Sequence, residues 1–268
     1  MPATQSRRVV LCASLVLFAA GIAYQSQSRV DPESLIALWL LDEGKGVIAE
    51  DASGNGNHGE FDGDPQWVDG KSGTALEFDG DDRVDCGDID AIDGFTGLTA
   101  MAWCKWGGDA DGLTAPARVV SKQDPTKGDV GPFSLGAGWA AHKMTLWIHH
   151  GNWAGAGHSS TSIDDGEWHH VAGTYDGAFL RVYVDGVEEN SNEIGAVAGG
   201  ETPEAVAIAS DGSGREFWKG PIDEVALFNV GLGPDEILDV MTRGLAQVIA
   251  SVSRAGKLAA AWGDLKTR

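Results

Sequence analysis

The sequence predicts an all-β fold in which two antiparallel sheets pack as a sandwich, followed by a short C-terminal helical extension. Short segments rich in β-branched and aromatic residues recur along the chain, turn-forming residues separate them, and no long helical pattern lies between them. The 38 glycines fit the many tight turns of such a sandwich. The predicted strands are Leu35–Leu41, Ala75–Phe78, Arg83–Cys86, Leu98–Trp106, Arg118–Gln123, Phe133–Gly138, Met144–His149, Trp168–Tyr175, Leu180–Val184, Ala205–Ala209 and Gly220–Phe228.

The clearest strand pair is a hairpin near the middle of the chain. Trp168–Tyr175 mixes aromatic and β-branched residues, and an Asp-Gly pair directly after it supplies the turn. Apolar and polar side chains then alternate along Leu180–Val184, and a second Asp-Gly pair ends that strand. This alternation is typical of an antiparallel strand with one face in a core.

The pattern changes towards the C-terminus. Residues 233–236 read Gly-Pro-Asp-Glu, and proline with acidic residues favours the start of a helix. Apolar residues follow at helical spacing, and Gly244 predicts the end of this helix. A second amphipathic segment runs from Leu245 to about Leu265. Residues 245–268 are therefore predicted to form a C-terminal helical extension.

The N-terminal residues have the pattern of a targeting segment. Arg7 and Arg8 precede an apolar stretch, Val9–Ala23, and polar residues follow it. The stretch is shorter than the roughly 20 residues of a membrane-spanning helix and matches the apolar region of a signal peptide. Residues 1–28 are therefore predicted to be a signal peptide, with an uncleaved membrane anchor as the alternative. Either one predicts a secreted, periplasmic or cell-surface protein.

Charge and cysteine content limit the function classes. The formal net charge of −21 argues against nucleic acid as a partner, because that binding needs clustered lysine and arginine side chains. The excess of carboxylates fits both a soluble acidic surface and calcium binding. Beyond the N-terminal segment, Cys86 and Cys104 both lie in predicted strands. An oxidising compartment would permit a disulfide between them, and buried free thiols are the alternative.

Six segments follow one another in an order that carries a family resemblance. They are LWLLDEG at 38–44, DASGNGNHG at 51–59, ALEFDG at 75–80, LTAMAWCKW at 98–106, the hairpin beginning WHHV at 168, and GPIDEVALFN at 220–229. Together they resemble the laminin-G-like, or concanavalin A-like lectin/glucanase, jelly-roll domains. The resemblance implies one domain over residues 33–244, with its opening and closing strands side by side.

A sandwich of this kind fills the space between its sheets with large side chains from alternate strand positions. Five residues with this placement are predicted to lie in the core. They are Trp39, Phe78, Trp103, Trp168 and Val225.

The glycine-rich loop 51–59 is the first candidate for a metal site. Asp51, Asn55 and Asn57 offer oxygen atoms, and Ca²⁺ takes roughly six to eight oxygen ligands. If the terminal strands pair as in the family, Asp223 approaches this loop and joins a structural calcium site. The alternative is that Asp51 and Asn57 only form side-chain turns. For the acidic cluster at 79–82, turn formation is the favoured interpretation.

Aromatic residues around the central strands are the candidates for ligand binding, because flat rings exposed on a sheet face can stack against sugars. The predicted ligand-binding residues are Trp139, Trp147, Trp153, His149 and Asn152. Packing between the sheets is the alternative for the tryptophans. The adjacent histidine pairs do not predict a zinc site, because neighbouring strand residues point to opposite faces.

The chain lacks the sequence patterns of common catalytic sites. Retaining glycosidases need two carboxyl groups roughly 5 Å apart, and the related β-sandwich glycosidases carry Glu-x-Asp-x-x-Glu or a close variant on one strand, which this sequence does not contain. Asp223 and Glu224 are consecutive and are predicted to face apart. The sequence therefore predicts a non-catalytic extracellular module that recognises glycan or protein ligands, touching a membrane only through an uncleaved anchor. The alternatives are a glycoside-active enzyme on this fold and a structural cell-surface or assembly protein.

Overall fold

The computed structural model describes residues 30–107, 116–124, 130–138 and 142–252, so the predicted signal segment and residues 253–268 lie outside its description. The strands are β1 (Leu35–Trp39), β2 (Ile48–Ala49), β3 (Gly59–Asp62), β4 (Gln66–Asp69), β5 (Thr74–Phe78), β6 (Arg83–Asp85), β7 (Leu98–Cys104), β8 (Ala117–Asp124), β9 (Val130–Ala137), β10 (Met144–His149), β11 (Trp153–Gly155), β12 (His169–Tyr175), β13 (Phe179–Val184), β14 (Val187–Glu193), β15 (Ala207–Ile208) and β16 (Gly220–Phe228). Two α-helices follow, α1 (Pro234–Arg243) and α2 (Leu245–Val252), and short 3-10 helices cover Pro32–Ser34 and Asp90–Ile92.

The strands form two antiparallel sheets, as predicted. Sheet A has the order β14-β13-β12-β7-β16-β5-β4, with β1 also paired to β16. Sheet B has the order β11-β10-β9-β8-β15-β6-β3-β2. Trp39 lies opposite Val225 in the β1–β16 pair, so the opening and closing strands lie side by side, as the family resemblance implied.

The main hydrophobic core lies between the two sheets. It includes Trp39, Phe78 and Val225, each at most 1% exposed, which confirms three of the five core predictions. The sheets approach closely where Gly173 of β12 faces Leu146 of β10, since a Cβ at Gly173 would lie 2.5 Å from the Leu146 Cβ. A glycine is required at this point because any side chain would push the sheets apart.

The other two core predictions are corrected by the structure. Trp103 is buried, but Ala102 and Cys104 on either side of it point into the core between the sheets, so its ring lies on the outer face of sheet A. Trp168 is only half-buried and precedes β12 instead of belonging to it. In both cases the misplacement comes from assigning a tryptophan to the core by size without fixing the strand's register.

A second hydrophobic cluster covers the outer face of sheet A. Leu245 and Val248 of α2, at 1% and 0% exposure, pack there together with Ile237 and Val240 of α1. The predicted helix start is confirmed, because the amide of Gly233 donates to Glu236 Oε2 at 2.8 Å. The sheet side chains beneath the helices are Met101, Ala172, Tyr183, Ala226 and Phe228. The described part of the C-terminal extension is therefore a third layer of the domain, and neither helix has the length and apolar character needed to cross a membrane.

Several strands were not predicted, and all of them are short or exposed. The stretch 55–73 had the composition of a loop but contains β3 and β4, and 190–203 contains part of β14. Nearly every residue of β14 is exposed, so its sequence shows no alternation of apolar and polar residues. Met144–His149 and Gly220–Phe228, in contrast, are mostly buried and have the predicted bounds.

The two cysteines are buried free thiols, which decides between the alternatives left open by the sequence. Cys104 lies on β7 of sheet A, and Cys86 directly follows β6 of sheet B. Burial raises the pKa of both thiols, so both are held in the neutral form.

Because α2 packs on sheet A, replacing a leucine by alanine should lower the free energy of unfolding more on the buried side of α2 than at an exposed position of α1. Leu245→Ala removes a side chain that is 1% exposed, and we expect it to lower the free energy of unfolding by about 2–5 kcal/mol. Leu238→Ala on α1 is the control, because this side chain is 46% exposed and should cost below about 1 kcal/mol. Urea denaturation measures both values. Equal losses would show that α2 is not part of the folded unit.

A buried histidine predicts a loss of stability in mild acid. His170 is 1% exposed, its ring packs against Trp103 with 5.3 Å between centroids, and burial lowers its pKa to about 4 although Asp185 opposes this. The unfolded chain takes up this proton near the ordinary value of 6.5, whereas the folded chain resists protonation until about pH 4. Stability should therefore fall by about 3 kcal/mol as the pH drops through this window.

The variant His170→Phe isolates this contribution, because it keeps a ring at the position and removes the titrating group. We expect its unfolding free energy to depend less on pH between 6.5 and 4 than that of the unchanged protein. His150→Gln, at a half-buried imidazole in the β10–β11 turn, is the control and should keep the original slope. The same slope in all three proteins would refute the assignment.

Candidate functional site

Three of the predicted ligand-binding residues share the outer face of sheet B. Leu146 and Ile148 of β10 point into the core, so Trp147 and His149 project outward. Trp153 lies directly opposite His149 in the β10–β11 pair, and the two rings are 5.3 Å apart. All three side chains are half-buried, which leaves part of each ring open to solvent. The alternative of packing between the sheets does not hold for Trp147 and Trp153.

The other two predicted ligand-binding residues differ in their placement. Asn152 is exposed at the tip of the hairpin that joins β10 to β11, next to Trp153. Trp139 lies outside the residues that the structure describes. The outer face of sheet B therefore brings together four of the five predicted residues along one hairpin.

Glycines make room for the Trp147 ring. A Cβ at Gly155 would lie 3.1 Å from the Trp147 Cδ1, and one at Gly138 would lie 3.2 Å from its Cη2. His158 contacts the ring edge-to-face with 6.1 Å between centroids, and the Arg118 guanidinium lies 4.7 Å from the ring centroid. The indole is thus fixed in position from several sides, and we call the surface formed by Trp147, His149 and Trp153 the aromatic face.

A buried ion pair borders the aromatic face and was not predicted. Arg118 Nε and Nη2 each lie 2.6 Å from Glu216 Oε2, and Gln123 donates to the same oxygen at 3.2 Å. Glu216 has a φ of 51°. Residues other than glycine and asparagine adopt this left-handed backbone conformation only at a cost in free energy. Arg118 and Glu216 are far apart in sequence and share no motif, so only the tertiary structure pairs them.

Loop 51–59 has the hydrogen bonding of a turn. Asp51 Oδ1 accepts from the amides of Leu38 at 3.0 Å and Ser53 at 2.9 Å, while Oδ2 accepts from the amide of Asn57 at 2.9 Å. The side-chain amides of Asn55 and Asn57 donate to carbonyls of β1. Three N–H groups thus point at the carboxylate where a cation would bind, an arrangement that fits the side-chain turn better than calcium. Calcium binding by this loop stays a prediction.

Asp223 contacts a different loop from the one expected. It is fully buried, and its Oδ2 accepts from the amide of Ser72 at 3.0 Å, in the turn between β4 and β5. Its other oxygen, Oδ1, is buried without a partner among the described residues. Burial, together with smaller contributions from the nearby carboxylates of Glu224 and Asp42, raises the pKa of Asp223 to about 7. This region therefore holds more negative charge than its hydrogen bonds compensate.

A second buried carboxylate oxygen without a hydrogen-bond partner belongs to Glu43, which follows β1 in the chain. Glu43 Oε1 accepts from the amide of Glu50 at 3.0 Å, but Oε2 is buried and has no partner in the described structure. Burial raises the pKa of Glu43, and the carboxylates of Glu50 and Asp42 add to this. Asp42 therefore acts electrostatically on both Glu43 and Asp223. Sequence reasoning missed Asp42 and Glu43, although they stand in the LWLLDEG segment that carries the family resemblance.

Two clusters of acidic side chains with closely spaced oxygens exist among the described residues, and each has a structural explanation. In the cluster Asp88, Asp90 and Asp93, the buried ammonium of Lys122 lies 2.7 Å from Asp88 and 2.8 Å from Asp93, which places a protein cation between the carboxylates. In the cluster 79–82, the carboxylate of Asp82 accepts backbone amides and forms the predicted turn.

Comparison with known proteins assigns the fold to a superfamily. A model of the concanavalin A-like lectin/glucanases superfamily matches residues 78–238, which is more than half of the chain. No match was found among curated proteins. Domain 4 of AbnA, a GH43 extracellular arabinanase from Geobacillus stearothermophilus solved with arabinotriose, superposes with a TM-score of 0.61 at 21% identity, covering 78% of this chain and 98% of that one.

Two other similar structures belong to larger chains. The binding domain of Paraclostridial Mosquitocidal Protein 1 has a TM-score of 0.63 at 14% identity, over 78% of this chain and 52% of that chain. Trypanosoma rangeli sialidase in complex with sialic acid has a TM-score of 0.56 at 16% identity, over 78% and 33%. At such identities the likeness concerns the fold alone. Together with the match over residues 78–238, it shows that the chain belongs to the concanavalin A-like lectin/glucanases superfamily.

Proposed function

We propose that this protein is a non-catalytic recognition module that binds glycans through the aromatic face of sheet B. The observation that carries the proposal is the assembly of Trp147, His149 and Trp153, each half-buried, on one outer sheet surface. Such an arrangement offers flat apolar rings for a sugar and ring nitrogens for its hydroxyl groups. Similar folds solved with arabinotriose and with sialic acid support glycan as the ligand class.

The proposed site of action is the cell exterior. The apolar segment Val9–Ala23 after Arg7 and Arg8 supports export, with the module secreted, periplasmic or held at the cell surface. An extracellular protein that carries glycans is a partner compatible with this location.

We also propose a structural calcium ion at Asp223 instead of at loop 51–59. Asp223 Oδ1 is a buried oxygen without a partner among the described residues, and a buried carboxylate oxygen without a partner is costly. Asp42 adds negative charge nearby. An ion here would tie β16 to the turn between β4 and β5, since Asp223 already accepts from Ser72.

The aromatic face predicts unequal effects of two tryptophan substitutions on glycan binding. Trp153→Ala removes an open ring from the face, and we expect at least about a tenfold rise in Kd for any glycan identified on an array. Trp168→Ala, which removes a half-buried tryptophan that precedes β12, is the control and should leave Kd unchanged. Isothermal titration calorimetry measures both. Equal affinities of Trp153→Ala and the unchanged protein would refute the proposed face, and sugar release from a polysaccharide panel would refute the non-catalytic assignment.

The calcium proposal predicts which aspartate is needed for Ca²⁺ to raise the melting temperature. Millimolar Ca²⁺ should raise the melting temperature of the full chain, and EDTA should reverse this, because an ion bound only by the folded state stabilises it. Asp223→Asn should abolish the Ca²⁺-dependent rise, whereas Asp51→Asn should lower stability but keep the rise. A rise that survives Asp223→Asn and disappears in Asp51→Asn would place the ion in loop 51–59. No rise in the unchanged protein would rule out structural calcium.

A further inference from the structure

His169 lies between two carboxylates at the point where the chain enters β12. Its Nδ1 is 2.8 Å from Asp185 Oδ2, which belongs to the turn between β13 and β14. Its Nε2 is 3.1 Å from Asp165 Oδ1, which belongs to the bend directly before β12. The imidazole is 9% exposed, whereas both carboxylates are about half exposed. One buried ring thus links β12 to two other segments of the chain.

This arrangement requires an imidazole that carries two protons. An ionised carboxylate only accepts hydrogen bonds, so each ring nitrogen must donate to its partner. Burial lowers the pKa of His169, but the hydrogen bonds to Asp185 and Asp165 outweigh burial and raise the pKa above the ordinary value of 6.5. The Glu167 amide and the His169 ring together lower the pKa of Asp165, so this carboxylate is ionised at neutral pH.

The two carboxylates are held with different firmness. Asp185 Oδ1 accepts from the amide of His170 at 3.0 Å, and the amide of Asp185 donates to the His170 carbonyl at 2.8 Å. The next residue, Gly186, packs under α1, because a Cβ there would lie 3.0 Å from Leu238 Cδ1. Asp165 Oδ1 accepts from the amide of Glu167 at 2.9 Å, a contact within its own bend. The Asp185 side of the ring is therefore fixed to the sheet, and the Asp165 side is not.

The other titratable groups near His169 do not compete for its protons. Cys104 lies directly opposite His169 in the β7–β12 pair, and burial raises the pKa of this thiol, so it stays neutral. Asp164, next to the bend, places its Oδ2 3.0 Å from a different ring, that of His142. His170 points to the opposite face of the sheet and stays neutral until about pH 4. The two flanking carboxylates therefore govern the protonation of His169.

We propose that His169, Asp165 and Asp185 form a proton-dependent latch, which holds bend 165–167 against β12 in mildly acidic solution and releases it as the pH rises above neutrality. A neutral imidazole has one N–H, and its other nitrogen would turn a lone pair towards a carboxylate. The remaining proton stays on Nδ1, because Asp185 is fixed in its turn, and Asp165 separates from Nε2.

The direction of the pH dependence follows from linkage. A group whose pKa is raised by folding stabilises the fold below its unfolded pKa of about 6.5, and this contribution is lost as the pH rises through the folded pKa. His170 has the opposite sign, because its contribution is lost in acid. Two adjacent histidines on β12 therefore limit the stable pH range of this region from both sides.

Long-range ¹H–¹⁵N NMR spectra of the full chain, labelled at histidine, report the protonation of each imidazole nitrogen. We expect His169 to carry two protons at pH 6, to titrate with a midpoint above 6.5, and to keep the Nδ1 proton afterwards. Its signal is assigned by its absence from His169→Gln. A singly protonated ring at pH 6, or a midpoint at or below 6.5, would overturn the proposal.

Cleavage after Glu167 by a glutamate-specific endopeptidase measures release of the bend. The rates at pH 6 and pH 8.5 are each divided by the rate for a free peptide with the sequence of residues 163–170, which removes the pH dependence of the protease. We expect the normalised rate to rise at least about threefold, because cleavage follows the population of the opened form.

Two variants separate the latch from general effects of pH. Asp165→Asn should remove the rise, since a side-chain amide can accept from a protonated Nε2 and donate to a neutral one. Asp69→Asn, at an exposed carboxylate on β4, is the control and should keep the rise. Equal rises in Asp165→Asn and the unchanged protein would overturn the latch. None of these readouts uses a glycan or Ca²⁺, so the outcome is independent of the proposed function.

Discussion

Strand β16 is the element on which the rest of the structure depends. It pairs with the first strand β1 and also with β5 and β7, so it joins the two ends of the domain in the centre of sheet A. Ile222, Val225 and Leu227 point into the core between the sheets, whereas Ala226 and Phe228 point into the cluster under the helices. Both hydrophobic clusters therefore meet at this strand, and its register sets the position of each layer.

The helices determine which surface remains available for binding. Because α1 and α2 cover apolar residues on the outer face of sheet A, the outer face of sheet B is the one on which Trp147, His149 and Trp153 stay half-open. The free strand edges beside them are also closed. Asn190 and Asn192 of β14 donate to the carbonyls of His158 and Gly155, so that the edges of the two sheets are bridged by side-chain amides. This bridge also fixes the segment that carries His158 against Trp147.

Buried charges in this acidic chain are mostly matched by partners from distant segments. Lys122 lies between Asp88 and Asp93, and Arg118 pairs with Glu216, so each of these buried cations has a partly exposed carboxylate as its partner. The exceptions are Asp223 Oδ1, Glu43 Oε2 and Asp211 Oδ2, which are buried without a partner among the described residues. Asp211 accepts three hydrogen bonds through Oδ1, whereas Asp223 lies near the carboxylates of Glu224 and Asp42, and this concentration of negative charge is the physical reason for proposing an ion there.

The sequence by itself determined the sandwich, the hairpin and the helix start, because strand and helix periodicity record which side chains face a core. Tertiary structure alone decided that Trp103 lies on the outer face, that Asp223 meets Ser72 instead of loop 51–59, and that Arg118 meets Glu216. These contacts join segments far apart in sequence, and local pattern carries no information on such pairs. The exposed strands β3, β4 and β14 were missed for a related reason, since residues that solvent surrounds leave no periodic signal.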